Sequence, residues 1–128
     1  MPSSRSDAFD QISKDELRNI QFTGLKSTIT NAYSNLNYFK EKCQKIGLHF
    51  DDLKSIHDLS KFPFTTKEDF RSNYPFDMFA VPLNEIHRVH ASSGTTGKST
   101  IVGYTKNDLD TWSQLTCRSL KVGGAKKG

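Results

Sequence analysis

The residues best suited to chemistry in this chain are Ser92 to Thr100, Ser-Ser-Gly-Thr-Thr-Gly-Lys-Ser-Thr, where small hydroxyl side chains are interleaved with glycines. Gly94 and Gly97 can take positive φ and bring the main chain close to a ligand. Successive amide N–H groups in such a turn converge on an anion. The hydroxyls of Ser92, Ser93, Thr95 and Thr96 add donors for the oxygens around a tetrahedral phosphorus. Lys98 contributes one compact positive charge. The same residue types also build plain polar turns, so loop composition alone does not separate a phosphate site from a hairpin tip.

The flanks narrow the choice. A Walker A loop has the form Gly-x-x-x-x-Gly-Lys-Ser/Thr, and Gly97-Lys98-Ser99 supplies its end, but Ser92 stands where its first glycine belongs. That architecture also begins a helix at the Lys-Ser pair, so that the helix dipole faces the phosphates. Here Thr100-Ile101-Val102-Gly103-Tyr104 is a β-branched run that predicts a strand. Upstream, Ile86-His87-Arg88-Val89-His90-Ala91 also predicts a strand, too polar for the buried centre of a parallel sheet. The loop is therefore expected to join two extended segments.

The run from His90 to Thr105, with Ala91-Ser92-Ser93-Gly94-Thr95-Thr96-Gly97-Lys98-Ser99 at its centre, resembles the signature loop of the adenylate-forming acyl-CoA synthetase superfamily, in the form carried by phenylacetate-CoA ligases. Lys61-Phe62-Pro63-Phe64-Thr65-Thr66-Lys67, Asn73-Tyr74-Pro75-Phe76, Phe79-Ala80-Val81-Pro82 and Asp108-Leu109-Asp110-Thr111-Trp112 are similar to that branch as well, in the same order. The likeness runs from about Leu17 to Gly124. It implies an acid–thiol ligase that uses ATP, Mg2+, coenzyme A and an aromatic carboxylic acid, with phosphate contacts at Ser92, Ser93, Gly94, Thr95, Thr96, Gly97 and Lys98. Ser92 to Thr96 are the first choice and Lys98 the weaker one. No residue of this chain is assigned a catalytic or metal-binding role.

Three positions depart from the resembling pattern. Ser99 replaces the usual proline and lifts a constraint on φ. Thr100 stands where the wider superfamily has a basic residue, which the phenylacetate branch also lacks, and Asn37 where a proline normally breaks the first helix. At 128 residues the chain is also several times shorter than such ligases. Nothing in it matches their ribose-binding aspartate, their acid pocket or their late lysine. The expectation is an N-terminal portion that is inert by itself.

Composition is compatible with that expectation. Hydrophobic residues make up 34% of the chain, a low share for a self-sufficient core. The net charge of +4 comes from basic residues mixed with acids, apart from a local excess at Lys121, Lys126 and Lys127. Neither a nucleic-acid surface nor a membrane partner is expected. Residues Met1 to Asp7 are polar with no apolar run behind them, so neither a secretory signal nor a lipid-spanning anchor is indicated and a cytoplasmic location is expected. Oligomeric state stays open, a homo-oligomer of the complete enzyme included. Cys43 and Cys117 are distant in sequence and are expected to be reduced and partly buried.

The elements that must position the loop follow from periodicity. Ser13-Lys14-Asp15-Glu16 predicts a capped helix start. Leu25, Ile29, Ala32, Leu36, Phe39, Cys43 and Ile46 form one apolar stripe, on either one bent helix or two, closed by Gly47. Ser55 caps a turn bearing Ile56 and Leu59, and Thr65 with Glu68 predicts a further capping box before Pro75. Phe62, Phe64, Phe70, Phe76 and Phe79 are assigned to packing. Thr105 caps a last helix whose Leu109, Trp112, Thr116 and Leu120 share a face. His87 and His90 are expected on opposite faces of a strand, unable to grip one metal ion together.

The fold class expected is α/β: the incomplete N-terminal portion of an adenylate-forming enzyme, helix-rich in its first half, then a strand, a phosphate loop, a strand and a closing helix. Its organisation is a flexible N-terminus over 1–12, a helical lead-in over 13–85, and over 86–128 the start of an AMP-binding domain. Two alternatives stay open: a small P-loop-like nucleotide-binding module, with a helix starting at Ser99, and a helical interaction domain that docks a partner through the Leu25 to Ile46 stripe.

Overall fold

The computed structural model describes residues 12–92 and 99–126. Helix α1 (Lys14–Asn35) opens where Ser13, in an extended conformation, accepts a hydrogen bond from the Glu16 amide at 3.2 Å. Asp15 and Glu16 lie in the first turn, where the helix dipole favours negative charge. The chain then pivots on a single residue. Leu36 is extended (φ −109°, ψ 103°), ends α1 and starts α2 (Asn37–Lys45). Its N–H still bonds to the Ala32 carbonyl at 2.9 Å and its own carbonyl accepts from Lys40 at 3.0 Å, so little hydrogen bonding is lost at the bend. Two helices, rather than one bent helix, carry the apolar stripe.

Ile29, Phe39 and Cys43 of that stripe are buried, with Leu25, Ala32 and Leu36 packed against them. Tyr33 from α1 and Leu53 and Phe62 from the following turns complete the core. The Tyr33 ring meets His49 and Phe50 edge-on, with centroids at 5.0 and 5.4 Å. Ile46 departs from expectation: it lies past the end of α2 and is 59% exposed. Helix α2 closes with a Schellman arrangement. Gly47 adopts φ 69°, its N–H bonds to the Gln44 carbonyl at 3.0 Å, and the Leu48 N–H bonds to the Cys43 carbonyl at 2.9 Å. Leu48 then folds back onto the core.

Two short 3-10 helices, Phe50–Asp52 and Ile56–Lys61, lead to α3 (Lys67–Ser72). Ser55 caps the second turn as expected. The cap of α3 is one residue later than the sequence suggested: Thr66, not Thr65, accepts from the Asp69 amide, and the Asp69 carboxylate accepts from the Thr66 N–H at 2.6 Å. The tertiary structure decides between the two registers. The Thr65 hydroxyl is taken by the Tyr38 hydroxyl, and Asp69 is ion-paired to Lys42 of α2 at 2.7 Å. Phe62 is buried, whereas Phe64 is 85% exposed and Phe76 also lies at the surface. The packing assignment therefore fails for Phe64, whereas the Phe76 ring still packs against Phe79 with centroids 5.5 Å apart.

A third short turn, Leu83–Glu85, delivers the chain into β1 (Ile86–Ala91). Strand β1 pairs antiparallel with β2 (Ile101–Thr105), and α4 (Lys106–Val122) follows directly. Thr105 and Asp108 cap α4 reciprocally: the carboxylate accepts from the Thr105 N–H at 2.8 Å, and the hydroxyl accepts from the Asp108 N–H at 3.2 Å. Cys43 is fully buried, which raises its thiol pKa, while Cys117 is exposed rather than partly buried.

Candidate functional site

Strands β1 and β2 form the stem of a hairpin whose tip is the Gly/Ser/Thr loop. The register pairs Ala91 with Ile101, His90 with Val102, Val89 with Gly103 and Arg88 with Tyr104. A shift between Ile86 and Arg88 puts His87 in a bulge, where its ring Nδ1 lies 3.1 Å from the Glu85 carbonyl. Strict alternation therefore does not describe His87, although it does describe His90.

The pairing reaches the loop's edge. The Ser92 N–H donates to the Thr100 carbonyl at 3.0 Å, and the Thr100 N–H donates to the Ser92 hydroxyl oxygen, also at 3.0 Å. Ser92 thus closes the neck with both backbone and side chain. Its hydroxyl, accepting from Thr100, keeps its own hydrogen for an acceptor beyond the neck. The remaining loop candidates, Ser93, Gly94, Thr95, Thr96, Gly97 and Lys98, lie outside the described residues.

The chain leaves the loop as a strand, so no helix starts at Ser99, as a P-loop would require. At the start of α4 the reciprocal cap engages the Thr105 and Asp108 amides. The stripe proposed to dock a partner is largely spent within the core, where Ile29, Phe39 and Cys43 are buried.

Opposite faces of the hairpin stem are packed by different elements. On one face Gly103 lies so close to Phe79 that an added Cβ would stand 2.8 Å from the ring and 3.0 Å from Ile86 Cδ1. On the other face His90, Tyr104 and Trp112 form a triangle of rings. Their centroids are 5.0 Å apart for His90 and Tyr104, 5.8 Å for His90 and Trp112, and 5.6 Å for Tyr104 and Trp112. Periodicity put Trp112 on a shared face of α4 without indicating what that face meets; the triangle depends on strand register and was not visible in the sequence. Farther along α4, Leu115 and Leu120 are 59% and 56% exposed.

No family model matches the chain. Curated relatives do. It is 51% identical over 119 residues to a phenylacetate-coenzyme A ligase of Aromatoleum evansii, covering 93% of this chain and 27% of that ligase. It is 48% identical over 122 residues to the phenylacetate-coenzyme A ligase of Escherichia coli K12, covering 95% of this chain and 28% of that ligase. The chain is homologous to part of the phenylacetate-CoA ligases. It spans about a quarter of the length of these phenylacetate-CoA ligases.

Solved structures agree on the fold. A 2-hydroxyisobutyryl-CoA ligase in an open conformation, in complex with 2-HIB-AMP and CoA, superposes with a TM-score of 0.79 at 24% identity, over 91% of this chain and 28% of that one. The same ligase in the thioesterification state gives 0.67 at 29% identity over 76% of this chain and 22% of that one. The helix-rich start and the small two-stranded sheet match the fold of the corresponding segment of that CoA ligase. Among the described residues no helix is long and apolar enough to cross a membrane.

Proposed function

We propose that this chain is the phosphate-loop segment of an ATP-dependent aryl-acid CoA ligase acting on phenylacetate or a close analogue, with residues 86–128 beginning its AMP-binding domain. In the proposed reaction a carboxylate oxygen of the acid attacks the α-phosphorus of ATP. The bond to the β-phosphate oxygen breaks, and pyrophosphate leaves with that electron pair. The CoA sulfur then attacks the acyl carbon, AMP departs, and the thiol proton passes to solvent. Mg2+ would neutralise charge on the triphosphate; no residue of this chain is assigned to it.

The part given to this chain is narrow. The hairpin stem holds Ser92 and Thr100, the two ends of the loop, at hydrogen-bonding distance. The backbone and hydroxyls of Ser92 to Thr96, with Gly97 and Lys98, would meet the β- and γ-phosphate oxygens and stabilise the charge of the departing pyrophosphate. They transfer no proton. The observation that carries this proposal is the strand-to-strand setting of the Ser92–Thr100 neck, joined to a 51% identity with a phenylacetate-coenzyme A ligase.

The test is a chimera in which this chain replaces the aligned segment of the Escherichia coli ligase. The expected result is phenylacetate-dependent exchange between ATP and pyrophosphate, reduced by about a hundredfold or more when Gly94→Val and Thr95→Val are combined. A folded chimera without exchange, or a double variant exchanging at the full rate, would refute the assignment.

A further inference from the structure

The hairpin that bears the loop is gripped on both faces, and the His90 ring stands one register position nearer the neck than the Val89–Gly103 pair. His90 precedes Ser92 by two residues, roughly 7 Å along an extended strand. Its ring fills the corner between Tyr104 of β2 and Trp112 of α4, meeting both edge-on at interplanar angles of 62° and 76°. Such edge-to-face contacts are directional, so they fix a ring's orientation as well as its depth. Because His90 pairs across the ladder with Val102, its placement also fixes the strand on the far side of the neck.

Helix α4 is tied to the same stem through the covalent junction at Thr105 and the cap onto Asp108. Trp112 stands roughly two helical turns beyond that junction and reaches back to both strands. A side chain that touches both strands at once resists their splaying and their twisting against one another. The Ser92–Thr100 pair alone, two hydrogen bonds at an exposed neck, is a weak restraint on either motion.

We propose that Trp112, acting with Tyr104 through His90, is a positioning residue for the phosphate loop: it sets the separation and twist of the strands that deliver the loop amides to the triphosphate. The inference rests on the phosphate-loop assignment above and adds to it a specific device outside the loop. Trp112 makes no contact with the nucleotide. Its loss leaves the loop sequence intact and loosens the two strands that carry the loop's ends.

The same chimeric ligase tests it. Trp112→Ala should raise KM for ATP by about tenfold with KM for phenylacetate unchanged, and Trp112→Phe, which restores a ring, should return KM for ATP to within about twofold of the parent. A purely structural role for Trp112 would lower the amount of active enzyme, and so kcat per mole of protein, with no change in KM for ATP. If Trp112→Ala yields no soluble chimera, Tyr104→Leu must show the same split. An unchanged KM for ATP in whichever variant folds overturns this inference alone, provided that the Gly94→Val and Thr95→Val pair still abolishes exchange. If that pair is harmless, the phosphate-loop assignment fails and takes this inference with it.

Discussion

Asp58 and Asp69 show how single carboxylates organise the turns that precede the hairpin. Asp58 accepts from Lys61 Nζ at 2.6 Å and from the Ser55 hydroxyl at 2.9 Å, and these bonds, the Lys61 one first, lower its pKa to about 2. Asp69 is lowered in the same direction, chiefly by Lys42. For a carboxyl group depressed in the folded state, the stabilisation is complete above the ordinary aspartate range, about pH 4, and is lost as pH falls through the folded value. The urea midpoint of the chain is therefore expected to decline between about pH 4 and about pH 2. In Asp58→Asn the midpoint at neutral pH should be lower and the acid decline shallower, the remainder belonging to Asp69. A variant that tracks the parent at a constant offset across this window would show that Asp58 is not the titrating group.

At the scale of elements, two glycines, one inside α1 and one just past the end of α2, call for opposite outcomes from the same substitution. Gly24 lies inside α1, and a Cβ there would meet nothing within 4 Å. Gly24→Ala should stabilise the chain by about 0.5–1 kcal/mol, by restricting the unfolded chain and favouring helix. Gly47 has φ 69° and closes the Schellman arrangement after α2. Gly47→Ala should cost about 1–2 kcal/mol, since a Cβ is strained in the left-handed region even where space is open. Denaturant melts of the two variants, with equal slopes and midpoints displaced in opposite senses, are the check. These positions also show what sequence reading can reach. The caps at Ser13, Ser55 and Thr105 and the stop at Gly47 were legible because their partners lie within a few residues. The cap of α3 was not, because Thr65/Glu68 and Thr66/Asp69 satisfy the same local pattern. Tyr38 and Lys42, each 27 residues away, choose between them. The loop was readable for the same local reason, and the ring triangle beneath it was not.

Across the whole molecule, burial is unevenly shared. Every buried core residue falls between Ile29 and Phe62, while β1, β2 and α4 contribute none among the described residues. The loop-bearing unit is thus held by the Phe79 contact, the ring triangle and the ladder, with Leu115 and Leu120 of α4 uncovered. An isolated helix of 17 residues is marginal in water, so α4 by itself has little to resist local opening. Hydrogen exchange on the 128-residue chain should find the slowest amides in the stretch from Ile29 to Cys43. Those of Lys106–Val122 should exchange within about a hundredfold of unstructured peptide, since opening the helix there exposes little buried surface. In the chimeric ligase the same helix should become strongly protected, because the proposal that this chain is one segment of a larger ligase supplies a surface for Leu115 and Leu120 to face. Equal protection of α4 in the isolated chain and in the chimera would mean that the hairpin and its helix form a self-sufficient unit, and the exposure of the two leucines would then need a different explanation.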